Sequence, residues 1–413
     1  MTKLEQQIKE LCPNGVEYKK LGDIATDIFR GGGITREQVT EEGIPCVRYG
    51  EIYTTYGIYF DTCVSHTDES TVQSKKYFEH GDILFAITGE SVEDIAKSTA
   101  YVGYEKCLAG GDIVVLKHKQ NPKYLSYVLS TTSAQAQKSK GKVKSKVVHS
   151  SVPAIKDIVI PVPPMEVQTE IVKILDEYST SVTALQQELE KELTARKKQY
   201  EYYRDLLLDF GVHGGGASEC EWRTVKLGDI GKISMCKRIM KSETSPNGDI
   251  PFYKIGTFGG EPNAYISKET FEKYKLLYSF PKKGDILISA AGTIGRTVVY
   301  DGEPAYYQDS NIVWIDNDET IVLNRYLYYI YQLSPWQIST GGTIARLYND
   351  NIANAKINIP SLKEQERIVS ILDRFDKLCN DISEGLPAEI EARRKQYEYY
   401  RDKLLSFEEN KNA

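Results

Sequence analysis

Cysteine and histidine are sparse in this 413-residue chain and never clustered. The seven cysteines (Cys12, Cys46, Cys63, Cys107, Cys220, Cys236, Cys379) are odd in number and never spaced C-x-x-C. That argues against a disulfide framework or a zinc knuckle and for reduced thiols. The five histidines (His66, His80, His118, His149, His213) never stand at the i, i+4 spacing of a helical metal site, so no metal is expected. No apolar run approaches the roughly 18–20 residues that cross a bilayer, and the start of the chain (Met1, Lys3, Glu5, Lys9, Glu10) lacks a secretory apolar core. The expected location is cytoplasmic. Positive charge is not in excess either, because 52 Lys and Arg against 58 Asp and Glu give a net charge of −6. Any contact with nucleic acid must then rest on local patches.

Catalytic templates are also missing. Gly31-Gly32-Gly33-Ile34-Thr35 has no Lys-Ser/Thr, and Gly292-Thr293-Ile294-Gly295-Arg296-Thr297 has the wrong spacing for a phosphate-binding loop. Both read as turns. Thr88-Gly89-Glu90-Ser91 is not a nucleophile elbow. Asn121-Pro122-Lys123-Tyr124 is similar to the Asn-Pro-Pro-Tyr loop of amino-methyltransferases, but no cofactor fingerprint accompanies it and Asn121 reads as a helix cap. No catalytic residue is assigned.

What the chain does have is a repeat, and enough apolar residues (41%) for two or three cores. Leu21-Gly22-Asp23-Ile24 returns as Leu227-Gly228-Asp229-Ile230, and Gly81-Asp82-Ile83-Leu84 as Gly284-Asp285-Ile286-Leu287. Ile158-x-Ile160-Pro161 returns as Ile357-x-Ile359-Pro360. The segment from Ala195 to Phe210 matches that from Ala392 to Phe407 at 13 of 16 positions. Each copy divides into a mixed globular stretch and a helical one. The expected boundaries are 1–163 globular, 164–210 helical, 211–220 linker, 221–361 globular, 362–407 helical and 408–413 tail. Short runs such as Ile83 to Ile87, Ile113 to Leu116 and Ile312 to Ile315 read as buried strands.

The helical stretches carry apolar seams. In the first, Ile171, Leu175, Tyr178, Val182, Leu185, Leu189, Leu193, Tyr200, Tyr203 and Leu207 follow spacings of 3 and 4, with Arg196 the one polar member. Two consecutive steps of 4 make a stutter at Glu192-Leu193-Thr194-Ala195. The second seam includes Ile368, Leu372, Phe375, Cys379, Ile390, Tyr397 and Tyr400, and Gly385 and Pro387 should kink or break it. Two matched seams in one chain most simply pair with each other. The expected fold class is therefore α+β: two mixed α/β domains joined by two long antiparallel helices in an intramolecular coiled coil, with a pseudo-twofold. The seam residues proposed to form the spacer or meet partners are Leu175, Leu185, Leu189, Leu193, Tyr200, Tyr203, Leu372, Phe375, Ile390, Tyr397 and Tyr400.

One local patch suits a polyanion. Lys138, Lys140, Lys142, Lys144 and Lys146 place five positive charges in nine residues, and an extended strand would put all five on one side to track phosphates. A solvated loop is the other reading. The second half has no such run, and its loops offer Arg296 and Arg346 instead. Arg30, Arg36, Arg48 and Lys254 complete the loop positions able to reach base edges.

With these motifs in view, the chain resembles the DNA specificity subunit of type I restriction-modification systems from about Leu21 to Phe407. The resemblance rests on the L-G-D-I openings, the G-D-I-L strands, the I-x-I-P endings followed by Gln168 or Gln365, and the K-Q-Y-E-Y-Y-R-D helix ends. Glu192-Leu193-Thr194-Ala195 resembles the short unit that some members repeat in tandem. The resemblance implies two target recognition domains (1–163 and 221–361) that read an asymmetric bipartite site in double-stranded DNA. It also implies that the helices dock two methylation subunits, joined by two restriction/translocase subunits, with no membrane partner. This chain would bind no cofactor and be non-catalytic; S-adenosylmethionine would enter with the methylation subunit, and ATP and Mg with the restriction subunit. A helical scaffold without sequence readout and a stand-alone DNA-modifying enzyme are the alternatives.

Overall fold

A computed structural model describes residues 2–139, 143–144, 147–210, 221–338, 345–381 and 384–410. It forms two compact units, one of Met1–Glu188 with Ile390–Ala413, the other of Leu189–Glu389.

In the first unit, strand Tyr18–Lys20 pairs antiparallel with Val159–Pro161. A five-stranded sheet runs in the order Ala25–Arg30, Ile113–His118, Ile83–Ala86, Ser98–Tyr101, Tyr59–Phe60. A second has the order Val39–Thr40, Ser65–Thr67, Ile44–Val47, Cys107–Ala109, Tyr77–Phe78. Alternation along the central strands explains why they are apolar at every position. Ile83, Phe85, Val114 and Leu116 enter one core with helix Pro122–Leu129, while Leu84, Ala86, Ile113 and Val115 enter another with Phe78, Tyr101 and Cys107. A strand buried on both faces has no room for a polar side.

The second unit repeats the plan with fewer strands. Trp222–Lys226 pairs with Lys356–Pro360, and a four-stranded sheet follows the order Lys232–Ser234, Ile312–Asp316, Ile286–Ser289, Thr297–Val299. Ile286, Ile288, Val313 and Ile315 face one core, and Leu287, Ile312 and Trp314 the other. The duplicated Gly-Asp-Ile-Leu motif has a mechanical cause. Gly81 and Gly284 sit at φ of +94° and +92°, where a β-carbon is strained, and the next residue's carboxylate closes the turn. Asp82 accepts from the Glu79 N–H at 2.9 Å and Asp285 from the Lys282 N–H at 2.7 Å.

The helix Met165–Leu208 runs unbroken for 44 residues. Within the first unit its early turns lie against helix Leu386–Leu404, with the Tyr178 ring 5.5 Å from Tyr397 and 6.3 Å from Tyr400. Within the second unit its later turns lie against helix Leu362–Asn380. There Tyr203 stacks on Phe375 at 5.8 Å, while Leu193 and Cys379 share one cluster. In the first unit Ile171 shares a core with Leu405 while Tyr178 meets Tyr397, and in the second Leu193 shares a core with Cys379 while Tyr203 meets Phe375. Residue numbers thus rise on one helix as they fall on the other, and the seams meet antiparallel inside one chain. The expected interruption is a complete break. The return limb stops at Asn380 and restarts at Leu386, with Pro387 in the first turn, where its missing N–H costs nothing. Leu175 serves the globular core of the first unit, and Tyr200 and Leu372 that of the second. Leu189 and Ile390 are half-buried; Leu185 stays exposed.

Each globular part is bolted to its helix by the same device. Gln168 accepts from the Asn121 N–H at 3.0 Å and donates to the Pro163 carbonyl at 2.8 Å and to Gln120 at 2.7 Å. Gln365 accepts from the Leu323 N–H at 2.9 Å and donates to Pro360 and Ile321 carbonyls at 3.0 and 3.1 Å. Asp176 receives Lys123 and Tyr127 at 2.7 and 2.8 Å, while Arg325 reaches Asp373 and Asp376 at 2.6 and 3.1 Å.

Candidate DNA interface

In the first unit, loops from four parts of the sequence meet at one end of the main sheet. The Gly31 N–H bonds the Ile113 carbonyl at 2.8 Å, Gly32 N–H the Ala109 carbonyl at 2.9 Å, and Gly110 N–H the Val47 carbonyl at 2.8 Å. Ile87 N–H bonds the Asp112 carbonyl and Ser150 N–H the Ile87 carbonyl, each at 2.9 Å. Glycines are needed here for close approach. A β-carbon on Gly31 would lie 2.1 Å from the Gly110 carbonyl oxygen, and one on Gly32 would lie 1.7 Å from that of Ser74. The Gly31–Gly33 run is thus a packing turn.

This loop end holds an open pocket of about 570 Å³ lined by Arg36, Arg48, Tyr49, Glu51, Thr54 and Asp112, among others. Arg36 projects into solvent; Arg48 is half-buried and paired with Glu51 at 3.3 Å. Arg30 is tied to Asp112 at 2.6 Å. Two of the arginines singled out in the sequence, Arg36 and Arg48, therefore line one concave surface, and Arg30 is tied to its wall through Asp112; Arg30 and Arg48 are already oriented by carboxylates.

The lysine run divides. Lys138 is not on an extended strand: it ends helix Thr132–Lys138, and its ammonium is buried, donating to the Leu129 carbonyl at 2.7 Å and to Ser98 at 3.1 Å. That corrects its assignment as a phosphate contact, because helical geometry turns it into the core. Lys144 lies on strand Val143–Lys144, which pairs with Val147–His149, itself paired with Thr88–Gly89. Strand Val143–Lys144 is thereby tied through Val147–His149 to the loop end. Lys140, Lys142 and Lys146 lie outside the described residues.

Burial pushes the Lys138 ammonium down to about 7. The unfolded chain, with an ordinary lysine, then binds more protons than the folded one between about pH 7 and 10.5. Stability should rise across that window by about 1.4 kcal/mol per pH unit from this group. In Lys138→Met the rise should be absent and the melting temperature at pH 7 higher. Parallel slopes for both proteins in denaturation from pH 7 to 9 would refute a buried, charge-costly amine.

In the second unit the same end is built from the loops at 254–260, 290–296 and 308–311 and the segment at Arg346. Ala290 N–H bonds the Asn311 carbonyl at 2.7 Å and Leu347 N–H the Ala290 carbonyl at 2.9 Å, repeating the Ile87 and Ser150 bonds. Arg296 donates to the Phe258 carbonyl and Arg346 to the Ser310 carbonyl, each at 2.8 Å; Lys254 is exposed. Gly292 and Gly295, at φ of +67° and +83°, make the turn carrying Arg296. Sequence reading missed Arg238, held by Asp309 at 2.9 Å, which plays the part of Arg30 with Asp112. The only signal for it was the structural repeat itself.

Asn121 caps helix Pro122–Leu129 by accepting from the Tyr124 N–H at 3.2 Å, which removes any base-orienting role. Among the described residues no group of His, Cys, Asp and Glu is placed to hold a metal ion, and no helix is long and apolar enough to cross a membrane.

Two copies of one α/β plan, each ending in a cationic loop cluster and bolted to paired helices, define a duplicated recognition module. The chain belongs to the type I restriction modification DNA specificity family, whose domain model matches residues 13–195 and again 219–392. It is 56% identical over 275 residues to a Haemophilus influenzae protein named as a type I restriction enzyme specificity subunit, a match covering 65% of this chain and 68% of that one. It is 37% identical over 262 residues to the EcoR124I/EcoR124II specificity subunit of Escherichia coli, covering 59% and 60%. The fold resembles that of the HsdS subunit from Thermoanaerobacter tengcongensis (TM-score 0.51, 17% identity, 96% of each chain). It also resembles a chain solved in work on assembly of the type I R-M system (TM-score 0.60, 19% identity, 95% and 97%).

Proposed function

We propose that this chain gives a type I restriction-modification enzyme its DNA sequence specificity, each unit reading one half of an asymmetric bipartite site in double-stranded DNA. The observation that supports this best is the contrast between a repeated scaffold and unrepeated loops. The bonds that build the two loop ends are equivalent, and Arg30 with Asp112 matches Arg238 with Asp309, but the other side chains presented differ: Arg36 and Arg48 in one, Lys254, Arg296 and Arg346 in the other. Equal readers would favour a palindrome; unlike readers favour two different half-sites. Arginine forks held by carboxylates or carbonyls lose little freedom on docking, which suits bidentate contacts to guanine or phosphate.

The chain itself does no chemistry in this reading. Two methylation subunits docked on the paired helices would bring S-adenosylmethionine, and two restriction/translocase subunits would bring ATP and Mg, in the cytoplasm. Mapping methylated adenines in a host expressing this chain with its methylation partner tests the reading: an asymmetric, two-part motif is the expected result, and unmethylated DNA would reject it.

Side-chain roles separate by two variants in the assembled methyltransferase. Arg36→Ala should weaken binding; if the contact is to phosphate, the slope of log affinity against log salt falls by about 1 and the motif is kept. Arg296→Ala should cost about 1–3 kcal/mol if it reads a base, relaxing the second half-site only. Relaxation of the first half-site by Arg296→Ala would contradict the assignment of one unit to each half.

A further inference from the structure

Helix Lys268–Leu277 has a well-packed inner face and an unexplained outer one. Phe271 is buried, and Tyr274 packs against Tyr278 and Tyr306. Yet Leu276 is 85% exposed and Leu277 60%, at the helix end beside half-exposed Tyr278. Single exposed leucines are commonplace, but two adjacent ones with an aromatic neighbour call for a cause. At the equivalent place the first unit has no such helix: after the strand Ser65–Thr67 comes a single turn at Glu69–Thr71.

The position of this tip in the second unit points to its occupant. Tyr278 lies under the Lys237 ammonium at 5.1 Å, and the Lys237 carbonyl accepts from Tyr306 at 3.0 Å. Lys237 is next in sequence to Arg238, whose pairing with Asp309 forms part of the loop end. The leucines therefore flank the surface already assigned to DNA. Exposed Lys273 and Lys275 stand on the same helix and Lys237 lies over the adjoining Tyr278, against exposed Glu269 and Glu272; Glu243 is engaged by Tyr274 at 3.0 Å and by the Met240 N–H at 2.8 Å. An exposed apolar tip with lysines on its helix and beside Tyr278 matches the chemistry of a duplex groove, where apolar side chains press between base steps and cations hold the flanking phosphates.

We propose that Leu276 and Leu277 form a wedge that unstacks one base step at the edge of the half-site read by the second unit, adding discrimination by deformability to the arginine contacts. Flexible pyrimidine–purine steps would be favoured there. The inference rests on the second unit being a half-site reader, and the test separates the two ideas. The full chain, assembled with its methylation subunit, is titrated onto duplexes carrying the mapped site with 2-aminopurine placed singly in or beside each half. The wild-type complex should brighten the probe at one position by the second half-site. Leu276→Ala/Leu277→Ala should abolish that signal and weaken binding about tenfold, while first-half probes and thermal stability stay unchanged. Leu276→Met/Leu277→Met should retain it. Equal brightening and affinity in the alanine variant would overturn the wedge and leave the half-site reading intact. Loss of subunit assembly with DNA signals intact would mark the tip as a protein contact and overturn it too. No site-dependent binding by the wild-type complex would overturn both.

Discussion

Inserting a second Glu-Leu-Thr-Ala unit after Ala195 should change the gap between the two methylated half-sites by one to two base pairs and leave the bases within each half-site as they were. The helix Met165–Leu208 is continuous through Glu192–Ala195, with no glycine, proline or local turn to absorb added residues. Four residues lengthen a helix by about 6 Å and rotate its downstream turns by about 40°. One base-pair step is roughly 3.4 Å, so the added length corresponds to more than one step and fewer than two. The loop ends are built from bonds internal to each unit, none involving Glu192 to Ala195, so base readout should be untouched. Methylation sequencing of a host carrying the insertion variant checks both halves of the statement. An unchanged gap would show that the helix does not measure the site; altered half-site bases would show that reading and spacing are not separable.

The second large effect is on stability. Gln365→Leu should destabilise the protein by about 3 kcal/mol and Gln168→Leu by a similar amount, read by chemical denaturation of the full chain. Each glutamine is buried, and each amide satisfies a helix-start N–H and two further acceptors in the globular part. Leucine keeps the volume but strands those groups away from water, at about 1–3 kcal/mol for each one left unpaired. The penalty should exceed that of Leu185→Ala, where an exposed seam residue is removed. Comparable small losses at all three positions would show that water reaches the glutamine sites.

How much of this was legible in the sequence depends on whether a feature repeats. The Leu-Gly-Asp-Ile and Gly-Asp-Ile-Leu motifs, the helix ends and the break at Gly385 and Pro387 are local and duplicated, so the pattern alone exposed them. Gln168 and Gln365 were visible as a repeated letter, but their work was not, because their partners at Asn121 and Leu323 lie more than forty residues away. Lys138 was misread for a different reason. Charge spacing on an assumed strand places it with its neighbours, whereas the helix Thr132–Lys138 turns it inward beneath Phe85, its ammonium 5.8 Å from the ring. The meeting of Arg36 and Arg48 in one pocket, with Arg30 tied to Asp112 on its wall, is a product of sheet topology: strands distant in sequence end side by side, and no linear spacing encodes that.

The termini of the described chain carry one more consequence. Val16 donates to the Glu408 carbonyl at 2.8 Å, the Asn410 N–H returns to Val16 at 2.9 Å, and Leu405 is buried beside Leu4 and Ile171. On the ribosome, then, the unit of Met1–Glu188 must wait for the segment that carries Leu405 and Glu408 before its apolar seat is filled. A nascent or prematurely terminated polypeptide would present that greasy vacancy to chaperones and proteases, so quality control could discard an incomplete reader before it ever met the genome.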